Sequence, residues 1–499
     1  MTIEQLYEIY QQHPVVTTDS RNCPEGSIFF ALKGDNFNGN RFAAAALEQG
    51  CAYAVVDEES EELGVRSEEL GVRSEELGAR IILVDDVLTT LQQLAHFHRL
   101  HFRGPVLQIT GTNGKTTTKE LVSTVLAQKY NVLFTQGNLN NHIGVPRTLL
   151  RLTADHDIAV IETGANHPGE IKTLAEIVAP DCGLITNVGV AHIEGFGSFE
   201  GVVKTKGELY DFLRSKEERS KGSKEERGKG LDAVPFIFLN ADNEHLRKIA
   251  HGLPAVSYGS MGHGYDVEGE VVDCAPFLKL RWRSKLNGQP QTANGQRSMV
   301  NGQRSMVNGQ RSTVNGQCST VNEVQTHLIG AYNIDNVLAA VSVGLRFGVE
   351  PAQINAALAA YVPTNNRSEM RKTARNTLIV DAYNANPSSM AAALQNFAMM
   401  QAPEGMRKML ILGEMRELGD ISEREHARVV EKIKSECPGL SAESVWLVGE
   451  NFQRLNPPFP TFKDVEEVKA RLGEVPVENR LILIKGSNGT RLFQLPDYL

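Results

Sequence analysis

The chain has 499 residues, 41% of them hydrophobic and 22% charged, a balance that belongs to a folded globular protein and excludes a disordered or fibrous one. At roughly 150 residues per domain, the length predicts about three domains. Fifty-one basic against 60 acidic side chains leave a formal charge of −9, which gives no overall attraction for nucleic-acid phosphate. No apolar run reaches the ~18 residues of a membrane helix. The opening residues, MTIEQLYEIYQQHPVV, lack the basic-then-apolar order of a signal peptide. Cys23, Cys51, Cys182, Cys274, Cys318 and Cys437 form no CxxC pair, as expected of reduced thiols in a cytoplasmic protein.

Three tandem repeats interrupt the chain. SEELGVR-type units run from Ser60 to Arg80, SKEERSKG and SKEERGKG from Ser215 to Gly230, and NGQRSMV-type units from Asn294 to Val321. The short periods suggest a coiled coil, but a glycine in each SEELGVR unit and an Asn-Gly in each NGQRSMV unit break helices. Solenoid units are longer, roughly 20 residues or more. All three read as surface-loop insertions, which cost little loop entropy. A partner-binding tail is the alternative.

Without the repeats the chain divides into three blocks: 1–102, 103–328 and 329–499. In the first, 27–32 (SIFFAL) and 53–57 (YAVVD) read as strands around a helix near Phe42–Gln49 that Gly50 ends. The second opens with 106–110 (VLQIT), an apolar run without alternation, the mark of a buried parallel strand. A helix follows, with Leu121, Val122, Val125 and Leu126 on one stripe. Further strands at 157–162, 183–188 and 235–240 alternate with helical patterns and predict a βαβ sheet. In the third block a helix spans 333–348. Strands at 377–383, 409–415, 444–450 and 480–486 then predict a second α/β sheet.

The sharpest local signal is Gly111-Thr112-Asn113-Gly114-Lys115-Thr116-Thr117, between a buried strand and a helix. Glycines let successive backbone N–H groups face one anion, and the helix amino terminus adds its dipole. Lys115 would reach β- and γ-phosphates and the Thr116 hydroxyl would bind Mg2+. Ile109 stands where the strict pattern has glycine, so the loop is a short variant.

Metal ligands in such sheets sit at strand carboxyl ends. Glu162 ends one strand and His192 follows another. By position alone, a strand-end glutamate is more often a cap or ion-pair partner, and a lone histidine more often structural. Lys204 and Lys206 read by default as solvated charges on a helix.

Together, GTNGKTTT, Glu162, His192, the lysine of TKGEL and Gly330-Ala331-Tyr332-Asn333-Ile334-Asp335-Asn336 resemble the Mur ligases, ATP-dependent amide-forming enzymes of cell-wall precursor synthesis. DSR (19–21), GNLNNHIGVPRTLL (137–150), ETGANHPGEI (162–171), DAYNANPSSM (381–390) and ILGEMRELGD (411–420) are most like the branch that adds a D-alanyl-D-alanine dipeptide. The resemblance implies an α/β protein of three domains. These are an N-terminal UDP-sugar-binding domain, a central P-loop ATPase domain with a mostly parallel sheet, and a C-terminal Rossmann-like domain closing over both. It implies ATP and Mg2+ as cofactors, UDP-MurNAc-tripeptide and D-Ala-D-Ala as partners, and a monomer without nucleic-acid or membrane partners. ATP would phosphorylate the terminal carboxylate of the tripeptide, and the dipeptide amine would displace phosphate.

The residue roles are likewise implied by the resemblance. Lys115 and the loop amides would offset charge on the transferring phosphoryl group. Thr116 and Glu162 would hold one Mg2+, and His192 would help hold a second. Lys206, the family's carbamylated lysine, would turn CO2 into a carboxylate-like Mg2+ ligand. Asn333 and Asn336 match positions near adenine, and Arg367 and Asp381 positions near the γ-phosphate and ribose. Asn138, Asn140 and Asn141 would meet the acceptor peptide, while Ser20 and Arg21 fall in the UDP-sugar domain. Tyr332 stands where many relatives have histidine, and His142 where an acidic residue is common.

The alternatives are a sister ligase adding one amino acid, a folylpolyglutamate synthase, and a catalytically silent UDP-sugar-binding P-loop protein. A nucleic-acid motor fits poorly with the acidic balance.

Overall fold

The computed structural model describes residues 1–34, 37–58, 79–191, 193–222, 234–286, 311–314, 317–364 and 366–499. The first block builds a parallel sheet from β1 (Val16–Thr17), β2 (Ile28–Phe30), β5 (Tyr53–Val56) and β6 (Ile81–Leu83), in that spatial order. Between them, β3 (Lys33–Gly34) and β4 (Phe37–Asn38) form a small hairpin. The helix Val87–His101 starts where Asp86 accepts the Thr89 N–H at 2.7 Å and carries Arg99 in its last turn, a cation that suits its negative dipole end. The Arg99 side chain is buried and donates to the Val178 and Ala179 carbonyls and to Asp181 Oδ2. The helix thus fastens the first block to the second.

The second block is a nine-stranded sheet. Its strands are β7 (Val106–Thr110), β8 (Val132–Phe134), β9 (Ile158–Glu162), β10 (Cys182–Ile185), β11 (Phe236–Asn240), β12 (Ala255–Ser260), β13 (Val267–Cys274), β14 (Leu278–Ser284) and β17 (Asn322–Gln325). The order is β17-β14-β13-β12-β11-β10-β7-β9-β8, with β13-β14-β17 antiparallel and the rest parallel. Every residue of β7 and β9 is buried, as an unalternating apolar run requires of a strand covered on both faces.

One expected boundary shifts. The helix that the sequence puts at 333–348 in the third block spans Ile334–Arg346, and its Val337, Leu338, Val341 and Leu345 share one core with Leu107, Leu121 and Val125 of the second. Each such side chain contributes about 1.5–3 kcal/mol by leaving water. The helix Pro351–Ala360 adds Ile354, Ala357 and Leu358 to the same core. We therefore place the junction between second and third blocks after Tyr361 instead of at 328/329. Glycine and insertion signals marked the wrong edge, because a helix that crosses back onto an earlier sheet leaves no local trace.

The repeats also differ from plain loops. Residues 215–222 continue the helix Phe199–Gly222, where Lys216 donates to Asp181 Oδ1 at 2.8 Å. Strands β15 (Arg311–Val314) and β16 (Gln317–Thr320) pair antiparallel inside the third repeat. Most of the first repeat, 60–78, lies outside the described residues, as do 223–230 and 294–310.

The third block is a six-stranded sheet of β18 (Glu369–Lys372), β19 (Thr377–Asp381), β20 (Arg407–Gly413), β21 (Val445–Val448), β22 (Thr461–Phe462) and β23 (Arg480–Lys485). The order is β18-β19-β23-β20-β21-β22, parallel except for β18. Its carboxyl edge faces the phosphate loop. Among the described residues no helix is long and apolar enough to cross a membrane.

Candidate functional site

A cavity of about 930 Å3 opens where the carboxyl ends of the second and third sheets meet; small-molecule sites run to roughly 300–1,000 Å3. Its floor is the loop after β7. That strand lies between β9 and β10, so the chain leaves it in one direction and returns on the other side, the crevice where open α/β sheets bind ligands. Gly111 has φ 141° and a Cβ there would come 2.0 Å from Thr186 Oγ1. Gly114 has φ 75° and its Cβ would come 2.5 Å from Asn336 Oδ1. Both positions therefore demand glycine. Asn187 pins the middle of the loop: its Oδ1 accepts the Asn113 N–H and its amide donates to the Asn113 carbonyl, each at 3.0 Å.

Lys115 opens the helix Lys115–Leu126, and its Nζ donates to the Gly111 and Thr112 carbonyls at 2.8 and 3.1 Å. Burial lowers its pKa to about 8, against the raising effect of the Glu162 carboxylate. Glu162, at the end of β9, is buried. Its Oε1 accepts from the Thr116 hydroxyl at 3.1 Å and the Asn140 amide at 2.8 Å, while Oε2 has no partner among the described residues. A buried acceptor left unmet costs about 1–3 kcal/mol, more if charged. A divalent cation would remove that cost, and the hydroxyl and carboxylate oxygens here are the hard donors Mg2+ takes. The residues fit the metal.

The third sheet supplies the opposite wall. The Arg367 guanidinium lies 3.9 Å from the centroid of the Tyr383 ring, a cation–π contact that fixes its plane. Lys485 Nζ stands 2.5 Å from Asp381 Oδ2. The Asn386 amide donates to Asn113 Oδ1 at 2.7 Å, so the third sheet touches the phosphate loop directly. Tyr332 lines the same cavity, its hydroxyl 2.8 Å from Ser368 Oγ.

Residues 14–99 match the family model described as Mur ligase family, catalytic domain; 109–268 match the Mur ligase middle domain and 366–488 the Mur ligase, glutamate ligase domain. The chain is 32% identical over 413 residues to the UDP-N-acetylmuramoyl-tripeptide–D-alanyl-D-alanine ligase of Bacillus subtilis (strain 168), covering 82% of this chain and 75% of that one. It is 31% identical over 489 residues to the enzyme of the same name from Escherichia coli (strain K12), covering 96% and 91%. The crystal structure of MurF from Acinetobacter baumannii superposes with a TM-score of 0.74 at 26% identity, covering 99% of this chain and 98% of that one. The chain belongs to the Mur ligase family.

In this Mur ligase, Thr112, Asn113, Gly114, Lys115, Thr116, Thr117, Glu162, Asn138, Asn140, Asn141, Asn333, Asn336, Arg367 and Asp381 all line the one cavity. Gly111 shapes the loop from behind. Asn333 and Asn336 are committed internally: the Asn336 amide donates to Asn333 Oδ1 at 2.8 Å, its Oδ1 accepts from Thr118, and the Asn333 amide donates to the Ile329 carbonyl. Asn141 Oδ1 likewise accepts the Ile143 and Gly144 N–H groups. These three brace the walls with the polar atoms expected to face ligands.

The two candidate lysines separate cleanly. Lys204 is exposed. Lys206 is buried, with Nζ 3.3 Å from the Ala165 carbonyl and 5.1 Å from the Phe196 ring centroid. Burial, with the Lys115 charge second, lowers its pKa to about 7. Ala165 lines the cavity, so the amine lies just behind the wall. Ser20 and Arg21 are not brought to the cavity; Arg21 is exposed and forks onto Asp19 at 2.9 and 3.0 Å. His192 lies outside the described residues.

Sequence reasoning missed Lys485, Asn386, Asn187 and Tyr383. Lys485 ends a strand just as Glu162 does, and the same strand-end argument would have found it. Asn386 and Asn187 carry no such signal, because their roles arise only when distant segments meet.

Proposed function

We propose that this chain joins D-alanyl-D-alanine to UDP-N-acetylmuramoyl-tripeptide, with ATP converted to ADP and phosphate, in the cytoplasmic synthesis of peptidoglycan precursors. The observation that carries the reading is the convergence of the phosphate loop, the Glu162 Oε2 left without a partner among the described residues, and the third-block cations Arg367 and Lys485 on one cavity. Full-length similarity to enzymes bearing that name selects the dipeptide branch.

Lys115 and the loop amides would cradle the triphosphate, and Arg367 would face it from the third sheet. Together they would offset charge on the phosphoryl group as it passes to the tripeptide carboxylate, a reaction governed by positioning and electrostatics. The amine of the dipeptide would then attack the acyl phosphate, and phosphate would leave through a tetrahedral intermediate. When bound, Mg2+ supplies further charge stabilisation; Thr116 and Glu162 would hold one ion, with His192 and a carbamate on Lys206 toward a second. Carbamate formation needs a neutral amine, and burial supplies one at Lys206 near neutral pH. Asn138, Asn140 and Asn141 would border the acceptor, and Ser20 and Arg21 would belong to the UDP-sugar end. Asn333 and Asn336 would hold the base edge of the site by bracing it.

The test is phosphate release from ATP and Mg2+ with UDP-MurNAc-tripeptide, with and without D-Ala-D-Ala, followed by product mass. Dipeptide-dependent release with a product heavier by the dipeptide is expected. Release only with a single amino acid would move the chain to a sister branch, and none with any acceptor would favour a silent binding protein.

A further inference from the structure

We propose that Lys485 is a positioning residue for the nucleotide: it holds the Asp381 carboxylate, and the turn behind it, in the orientation that the third sheet presents to ATP. The proposal rests on the nucleotide-site reading above. Asp381 and Lys485 are the last residues of β19 and β23, adjacent parallel strands in which they are register partners. Lys485 Nζ donates to Asp381 Oδ2 at 2.5 Å and to the Asn384 carbonyl at 3.4 Å. The lysine side chain is only 2% exposed against 16% for the aspartate. The ammonium is thus enclosed among strand ends while the carboxylate keeps an open side, and both border the cavity.

An aspartate by itself is a poor neighbour for a polyanion. Paired with an enclosed ammonium, the same carboxylate becomes close to neutral as a unit and can still accept hydrogen bonds at its remaining lone pairs. Lysine suits this place because its charge is compact and its three donors can divide between Asp381 Oδ2 and the Asn384 carbonyl. The second bond matters as much as the first. Asn384 lies in the turn that runs from Asp381 to Asn386, and Asn386 donates to Asn113 of the phosphate loop. One ammonium therefore sets both the carboxylate and the segment through which the third sheet meets the loop. A merely structural ion pair would predict lost thermal stability and nothing specific to nucleotide.

The experiment compares K485M, K485R, D381N and the K485M/D381N double variant by steady-state kinetics, ADP calorimetry and thermal melting. K485M is expected to raise KM for ATP and weaken ADP binding by about tenfold or more, with KM for the UDP-substrate within about threefold of wild type. The double variant is expected to be no worse than D381N, because the lysine acts through the aspartate. K485R should fold and recover part of the ATP affinity. Unchanged ATP and ADP parameters in K485M, or in K485R should K485M not fold, would overturn the proposal. So would losses that multiply in the double variant. A wild-type protein blind to ADP would instead overturn the nucleotide-site reading, and the proposal with it.

Discussion

The Asn386 side chain caps the helix Pro387–Met399 and, with its other end, donates to Asn113 Oδ1 at 2.7 Å. One residue thus ends a turn of the third sheet and touches the middle of the phosphate loop. Its two duties can be separated, because serine caps a helix well but is too short to bridge. Asn386→Ser should hold the melting temperature while raising KM for ATP about three- to tenfold, the loss expected for one neutral hydrogen bond. Melting curves beside ATP saturation curves check this, and a fall in stability with unchanged KM would count against the bridge.

Lys115→Ala should abolish ATP turnover and leave UDP-substrate binding nearly unchanged, since among the described residues its ammonium donates to the Gly111 and Thr112 carbonyls of its own loop. Full activity in that variant would remove the loop from the phosphate site. Calorimetry with the UDP-substrate supplies the second readout.

Glu162→Gln tests the cation. The glutamine keeps an acceptor for Thr116 and ends the burial of an unpartnered carboxylate oxygen. Its melting temperature should therefore stay level or rise. Activity should fall at least about a hundredfold, with half-saturation moved to higher Mg2+. Chelation of Mg2+ should silence the wild type, and a Mg2+ titration that superposes on wild type would clear Glu162 of metal binding.

The contrast between Lys206 and Lys204 is equally direct. Lys206→Ala should be inactive and partly rescued by added short carboxylates, which occupy the space of the carbamate. Lys204→Ala, at an exposed position, should stay within about twofold of wild type. Wild-type activity in Lys206→Ala would exclude the lysine from the site.

Excising 294–321 should leave activity intact. Strands β15 and β16 within it pair with each other, and the sheet resumes at Asn322 opposite Trp282. A folded but inactive deletion would show that the repeat serves the reaction.

Much of this was legible in the chain. VLQIT is β7 to the residue, because a strand buried on both faces has no alternating solvent row; its two polar residues, Gln108 and Thr110, are buried and bonded to Thr163. The strand-end place of Glu162 was legible, but by position alone it read as a cap or ion-pair partner and only the resemblance implied a metal; its Oε2, without a partner among the described residues, adds a physical ground. What escaped were facts about distance in space. The antiparallel extension β13, β14 and β17 has mixed burial and spans an insertion, so no short window reveals it. The boundary at 328/329 failed for a related reason: Val337 and Leu338 look like any helix stripe, and nothing local says which sheet they cover. Asn333 and Asn336 match positions near the base, and in the fold the Asn336 amide donates to Asn333, the Asn333 amide to the Ile329 carbonyl, and Thr118 of the helix after the phosphate loop to Asn336 Oδ1.

The embedding of the helix Ile334–Arg346 in the second block bears on where the molecule can be divided. A polypeptide ending at Leu328 would lack the cover over Leu107, Leu121 and Val125 and would expose an apolar face prone to aggregation. One ending after Tyr361 would carry its own lid of helices, and also the Asn336 side chain that fills the space beside Gly114. A piece that keeps both covering helices over an intact phosphate loop thus extends more than thirty residues past the last strand of its sheet.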